Sequence, residues 1–140
     1  MSLFKSRSTE SSKPKKLWKI TRQCLELIFE SAKSSFPNEF GGLLRRSDLL
    51  DDTISELVLL PGTVGGDRHA IFRMHMKPID YSIVGTVHSH PSTNFSPSDA
   101  DRQMFARYGK INIIAAYPYT MNSWRAYDGA GNLIELIVVD

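Results

Sequence analysis

The sequence predicts a single α/β (α+β) domain in which two helices flank a mostly β core. Three observations carry this. An apolar stripe at helical spacing lies between residues 20 and 36. Two runs, Tyr81–His88 and Ile111–Tyr117, are apolar and rich in β-branched residues. Turn-forming residues separate short strand candidates elsewhere, most clearly Asp128-Gly129-Ala130-Gly131-Asn132.

Taken in order, Ile20–Phe36 is expected as a helix with Ile20, Cys24, Leu27, Ile28 and Ala32 on its buried stripe. Thr21 is the expected N-cap, Ile20 and Leu25 are spaced to staple the first turn, and Pro37 ends the helix. Phe40–Arg46 and Ile54–Leu60 read as strands joined by a polar turn around Asp48–Asp52. Ala70–Met74 is a short strand candidate after the breakers Pro61-Gly62 and Gly65-Gly66. A buried strand over Tyr81–His88 leads into a loop at 91–97, which holds two prolines, two serines, a threonine and an asparagine. A second helix is expected from about Ser98 to Tyr108, then a strand over Ile111–Tyr117. Trp124–Tyr127 and Leu133–Val139 form the expected terminal hairpin.

Composition narrows the function. An apolar fraction of 41% supports a packed core without covalent staples. The lone Cys24 excludes an intrachain disulfide and a cysteine-rich zinc site, and it suits a reducing compartment. No apolar run has the length of a membrane span, and the N-terminus lacks the apolar stretch of a signal peptide, so a cytoplasmic protein without membrane partners is expected. The basic residues Lys5, Arg7, Lys13, Lys15, Lys16 and Lys19 stand against Glu10 alone, while the whole chain is only +2. We therefore divide the chain into a basic, disordered tail over 1–18 and a folded domain over 19–140. The tail is a solvated leader or a contact for an acidic partner, and a nucleic-acid role rests on it alone.

The chemistry concentrates in Gly85-Thr-Val-His88-Ser-His90-Pro-Ser-Thr-Asn-Phe-Ser-Pro-Ser98-Asp-Ala-Asp101. His88 and His90 are two apart at the end of a strand, so both imidazoles point to one face and form a ready chelate for zinc. Pro91 stops the strand and leaves the pair at a sheet edge open to solvent. Asp101 falls in the first turn of the next helix. Folded back, its carboxylate completes three protein ligands and leaves the fourth position for water, the pattern of a catalytic zinc. Ser98-x-x-Asp101 also has the form of a capping box, and Ser96-Pro97 can serve instead as N-cap and N1. Upstream, Glu39 sits between helix and strand in Pro37-Asn38-Glu39-Phe40-Gly41-Gly42-Leu43-Leu44; it is either an exposed turn residue or a group that the glycines let a substrate approach. His69, His75 and Cys24 fall outside this pattern. Tyr117-Pro118-Tyr119 and Trp124 are core packing or the lining of a substrate groove.

Together, Pro-x-Glu-x-x-Gly-x-Leu, Gly-x-x-His-Ser-His-Pro and Ser-x-x-Asp, the last aspartate eleven residues after the second histidine, resemble the signature of the JAMM (MPN+) metalloproteases from about Ile20 to the C-terminus. The resemblance implies a curved, mostly antiparallel sheet flanked by helices, the MPN/JAB1 (cytidine-deaminase-like) fold. It implies Zn2+ on His88, His90 and Asp101, Glu39 as the base for the attacking water, and Ser98 as a hydrogen-bond donor near the oxyanion. It further implies cleavage after the C-terminal glycine of a ubiquitin-like β-grasp modifier. The intervals Met74 to Gly85 and Asp101 to Ile111 are short, so the chain looks like a minimal, prokaryotic-type member, similar to an archaeal desampylase. A peptidase acting on a sulfur-carrier protein and a non-catalytic MPN scaffold are the alternatives; scaffolds usually lose ligands that this chain retains.

Overall fold

The computed structural model describes residues 17–49, 51–59 and 81–140. Strand β1 (Lys19–Thr21) leads into helix α1 (Arg22–Ser35), followed by β2 (Gly41–Arg45), β3 (Thr53–Ile54), β4 (Glu56–Leu59) and β5 (Ile83–His90). Helix α2 (Asp99–Tyr108) precedes β6 (Ile111–Ala116), β7 (Trp124–Tyr127), β8 (Leu133–Ile134) and β9 (Ile137–Val139). The main sheet has six strands in the order β4-β2-β5-β6-β7-β8. Its pairings are antiparallel except β5 with β6, which the α2 crossover makes parallel. A second sheet, β3-β1-β9, is parallel throughout.

Thr21 caps α1 as expected, accepting the Cys24 N–H at 3.1 Å, and Ile20 and Leu25 lie in one buried cluster on either side of it. Ile20, however, belongs to β1 and not to the helical stripe. The buried face of α1 is Cys24, Leu25, Ile28, Phe29 and Ala32, while Leu27 is 49% exposed. The stripe is rotated because α1 packs against one face of a sheet, a partner that periodicity alone does not locate. Cys24 is core; burial, then the nearby Glu56 carboxylate, push its thiol up to about 12.

Two expected strands are each divided between the sheets. Residues 54–59 of the first fall to β3 and β4, and the 133–139 segment becomes β8 and β9, so only its first part pairs with β7 as a hairpin. One residue of the expected tail, Trp18, packs on the core, accepts the Ile137 N–H at its carbonyl and receives the Arg46 guanidinium over its ring. Residues 1–16 of the tail, Ala70–Met74, His69 and His75 lie outside the described residues.

The two faces of the main sheet bury different sets. Leu44, Val87, Ile113 and Ala115 pack with α1; Leu43 and Ile114 pack with Met104 and Phe105 of α2 and with Tyr127. Parallel pairing of β5 with β6 is close. A Cβ on Gly85 would stand 1.6 Å from the Ile111 carbonyl oxygen, which is backbone and cannot swing aside. Gly85→Ala is therefore expected to destabilise the protein by about 3 kcal/mol or more, read as a lowered urea midpoint. An unchanged midpoint would mean that β6 is free to move away from β5.

Candidate metal centre

The centre forms at the C-terminal end of β5, on the face covered by α2. The strand period of two places His88 and His90 on that face, with Nε2 atoms 3.2 Å apart. β5 lies between β2 and β6, so the pair stands at the end of an interior strand and not at a sheet edge as expected. His88 is 3% exposed and His90 partly exposed.

β2 brings in the glutamate. Gly41 pairs with His88. Phe40 and Ser89, 49 positions apart, are tied twice: the Phe40 N–H donates to Ser89 Oγ at 2.9 Å, and the Ser89 N–H donates to the Phe40 carbonyl at 3.0 Å. Glu39 then alternates onto the histidine face. One ligand atom from each of Glu39, His88 and His90 lies within 4.8 Å of the others.

Asp101 arrives from α2. Its Oδ1 is 3.1 Å from His88 Nε2 and its Oδ2 is 3.2 Å from His90 Nε2. The same Oδ2 accepts the Ser98 N–H at 2.9 Å, while Ser98 Oγ accepts the Asp101 N–H at 3.1 Å. The capping box and the approach to the histidines are thus one arrangement and not alternatives. Asp101, Met104 and Phe105 make the buried stripe of α2, so the carboxylate is the first member of an i, i+3, i+4 face turned to the sheet. Ser98 itself remains exposed at the N-cap.

Burial alone would raise the Asp101 carboxyl, but His88, His90 and the Ser98 N–H hold it well below the usual carboxylate range. Burial lowers the His90 imidazole, yet hydrogen bonding to Asp101 and Asn94, with the Asp101 and Glu39 charges, leaves it raised. A carboxylate that is 0% exposed beside two imidazoles is a place where a cation is strongly favoured. The donors also match zinc in chemistry and spacing. Ligands about 2.0–2.1 Å from a tetrahedral ion stand about 3.3 Å apart; the two Nε2 atoms are 3.2 Å apart, and the Asp101 carboxylate reaches one with Oδ1 at 3.1 Å and the other with Oδ2 at 3.2 Å.

The chain carries the family model for prokaryotic homologues of the JAB domain over residues 21–127. It belongs to the prokaryotic JAB family. A probable metalloprotease of Haloferax volcanii is 33% identical across 100% of this chain and 86% of its own length. Two solved structures are similar across 89% of this chain and 100% of theirs. One, described as a JAMM metalloprotease-like zinc site in the proteasome and signalosome, has 42% identity and a TM-score of 0.70. The other, a JAB1/MPN domain protein from Archaeoglobus fulgidus, has 38% identity and a TM-score of 0.71.

In this JAB domain, two positioning groups were not singled out in the sequence. Ser89 locks the Glu39 segment to β5; its signal is a polar residue, fully buried, between two histidines on the opposite face of the strand. Asn94 accepts from His90 Nδ1 at its carbonyl, 2.8 Å away, so Nδ1 carries the proton and Nε2 is left to face the centre. No side-chain pattern announces a backbone carbonyl. The loop behind it is fixed by Tyr127, whose hydroxyl donates to the Phe95 carbonyl at 2.6 Å, and by Arg125, whose guanidinium lies 4.1 Å from the Phe95 ring centroid. His88 is held by packing on Phe105, with ring centroids 6.2 Å apart.

Proposed function

We propose that this JAB-family metalloprotease is a zinc peptidase that hydrolyses the peptide or isopeptide bond after the C-terminal glycine of ubiquitin-like modifier proteins. In this reading His88, His90 and Asp101 hold the metal, Glu39 is the general base and Ser98 donates to the oxyanion. The observation that carries it is the convergence of four side chains, from the segment leading into β2, from β5 and from α2, at one strand end. Asp101 is favoured over Glu39 as the third ligand because it contacts both Nε2 atoms and is fully buried, whereas Glu39 is partly exposed, as a base that meets water must be.

A zinc ion held there lowers the pKa of water to about 7 and polarises a carbonyl oxygen. Glu39 accepts the proton of the attacking water at its carboxylate and returns it to the nitrogen of the departing amine. Asn94 keeps the His90 tautomer fixed throughout. Ser98 Oγ already accepts the Asp101 N–H, so its hydroxyl proton is directed outward, toward the carbonyl oxygen that gains charge.

Ser98→Ala is expected to slow turnover by about 10²–10³ with metal content unchanged, and to cost about 1 kcal/mol of stability through the lost N-cap. Wild-type turnover in that variant would remove Ser98 from the chemistry.

The modifier substrate is supported by kinship with JAMM proteins. The test of the whole reading is to incubate zinc-loaded protein with lysine-isopeptide, linear and cysteine-adduct conjugates of small β-grasp modifiers, with and without chelator. Chelator-sensitive release of the modifier is expected; full ligand occupancy with no cleavage of any conjugate would leave a metal-binding scaffold instead. A preference for the cysteine adduct would point to sulfur-carrier processing.

A further inference from the structure

Three aromatic rings gather beside the metal centre and have no part in the mechanism above. Phe36, at the C-terminus of α1, and Tyr117, just after β6, approach to a centroid distance of 5.1 Å. Tyr119 lies beneath both, edge-on, at 6.3 and 5.8 Å. The floor and rim are built differently. Tyr119 is 2% exposed and donates its hydroxyl to the His90 carbonyl at 3.2 Å, whereas Phe36 and Tyr117 are 45% and 44% exposed. Tyr119 holds a φ of +64°, a conformation that costs a non-glycine residue about 1–2 kcal/mol. Packing and that hydrogen bond keep it there. A core needs neither a strained tyrosine nor two large rings left half in water.

The patch is continuous with the centre on one particular side. Phe36 is three residues before Glu39, and the Tyr117 N–H donates to the carbonyls of Ser92 and His90 at 2.9 and 3.2 Å. In the reaction proposed above, Glu39 hands its proton to the departing amine, so the leaving group is on the Glu39 side. Ser98, which takes the carbonyl oxygen, caps α2.

Resting on that reading, we infer that Phe36 and Tyr117, floored by Tyr119, form a subsite for an apolar side chain on the amine side of the scissile bond. The occupant is the residue that follows the cut in a linear substrate, or the residue flanking the acceptor lysine in an isopeptide. Aromatic rings with fixed spacing bind such a side chain by area and offer little to an anionic one.

The experiment uses zinc-loaded full-length protein and a set of substrates identical up to the cut, with leucine, phenylalanine, glycine or aspartate at the amine-side position. The wild type is expected to prefer leucine and phenylalanine over glycine in kcat/KM by about tenfold or more, mainly through KM. Tyr117→Ala and Phe36→Ala should each collapse that ratio toward one. The same ratio is read as Kd on the Glu39→Gln protein, which binds without turning over. Equal use of all four substrates by an active wild type, or a ratio untouched in both variants, would overturn the subsite while leaving the peptidase reading intact. Selectivity in Kd with no cleavage by the wild type would do the reverse.

Discussion

Glu39→Gln should retain the metal and lose hydrolysis by about 10²–10⁴ in kcat or more, since an amide keeps the shape of the carboxylate but accepts no proton. The comparison is sharp because Glu39, His88 and His90 all have ligand atoms within 4.8 Å of one another, so Glu39 is geometrically able to be a ligand itself. The two roles separate in the same variant. As a base, Glu39 leaves metal stoichiometry and affinity unchanged when substituted. As a ligand, its loss drops both along with turnover. Metal analysis and single-turnover assays on one preparation read the two quantities together. Full activity in Glu39→Gln would sink the assignment outright. Glu39→Asp adds a measure of precision. The shorter arm keeps the basicity but withdraws it from the attacking water, so partial activity is expected, between the glutamine variant and the wild type.

The parts of this site that were legible in the sequence are those governed by local periodicity. The His88-x-His90 pair needed only the alternation of a strand, and Ser98 with Asp101 needed only the first turn of a helix. What sequence left open at Asp101, cap or ligand, had an unread clue. Asp101 precedes Met104 and Phe105 at helical spacing, which puts the carboxylate on the buried face, whereas a cap that serves only the helix end has no reason to face the core. Glu39 was legible only through family resemblance. Its approach to the histidines depends on the β2–β5 register and on the two Phe40–Ser89 hydrogen bonds across 49 positions, and nothing local encodes that pairing. The fold shows the same division. Helix ends, caps and strand cores followed from Thr21, Pro37 and the β-branched runs. The splitting of the 54–60 and 133–139 segments between two sheets did not, because it is decided by which neighbour each half finds, including Lys19–Thr21, which leaves the helix to pair as β1. The α2 crossover that makes β5 and β6 parallel likewise sets the register, His90 with Ala116, that delivers Tyr117 to the rim of the centre.

In the proposed reading Asp101 carries two functions in one carboxylate, and a pair of substitutions is expected to divide them. Asp101→Ala removes both the cap and the contact with the histidines. It should abolish metal retention and cost about 1 kcal/mol for the lost hydrogen bond from the Ser98 N–H alone. Asp101→Asn keeps an oxygen that accepts the Ser98 N–H, so α2 stays capped while the anionic ligand is gone. It should therefore lose the metal as completely as alanine but melt higher than alanine does. The pH dependence of the metal-free protein separates them further. Asp101 is lowered from its ordinary 3.8, so its contribution is present above that value and is lost as pH falls. His90 is raised from its ordinary 6.5, so its contribution is present below 6.5 and is lost as pH rises through the folded value. The urea midpoint of the chelated wild type should thus decline as pH rises above about 6.5, and Asp101→Asn should flatten that decline by removing the partner that raises His90. With zinc bound the slope should reverse, because the metal requires deprotonated imidazoles and its affinity rises with pH. Opposite slopes for the same residues, with and without metal, are what a ligand set produces. In Asp101→Asn, which keeps the cap, zinc should no longer reverse the slope if the carboxylate is a ligand, whereas a carboxylate that served only as a helix cap would leave the reversal in place in that variant.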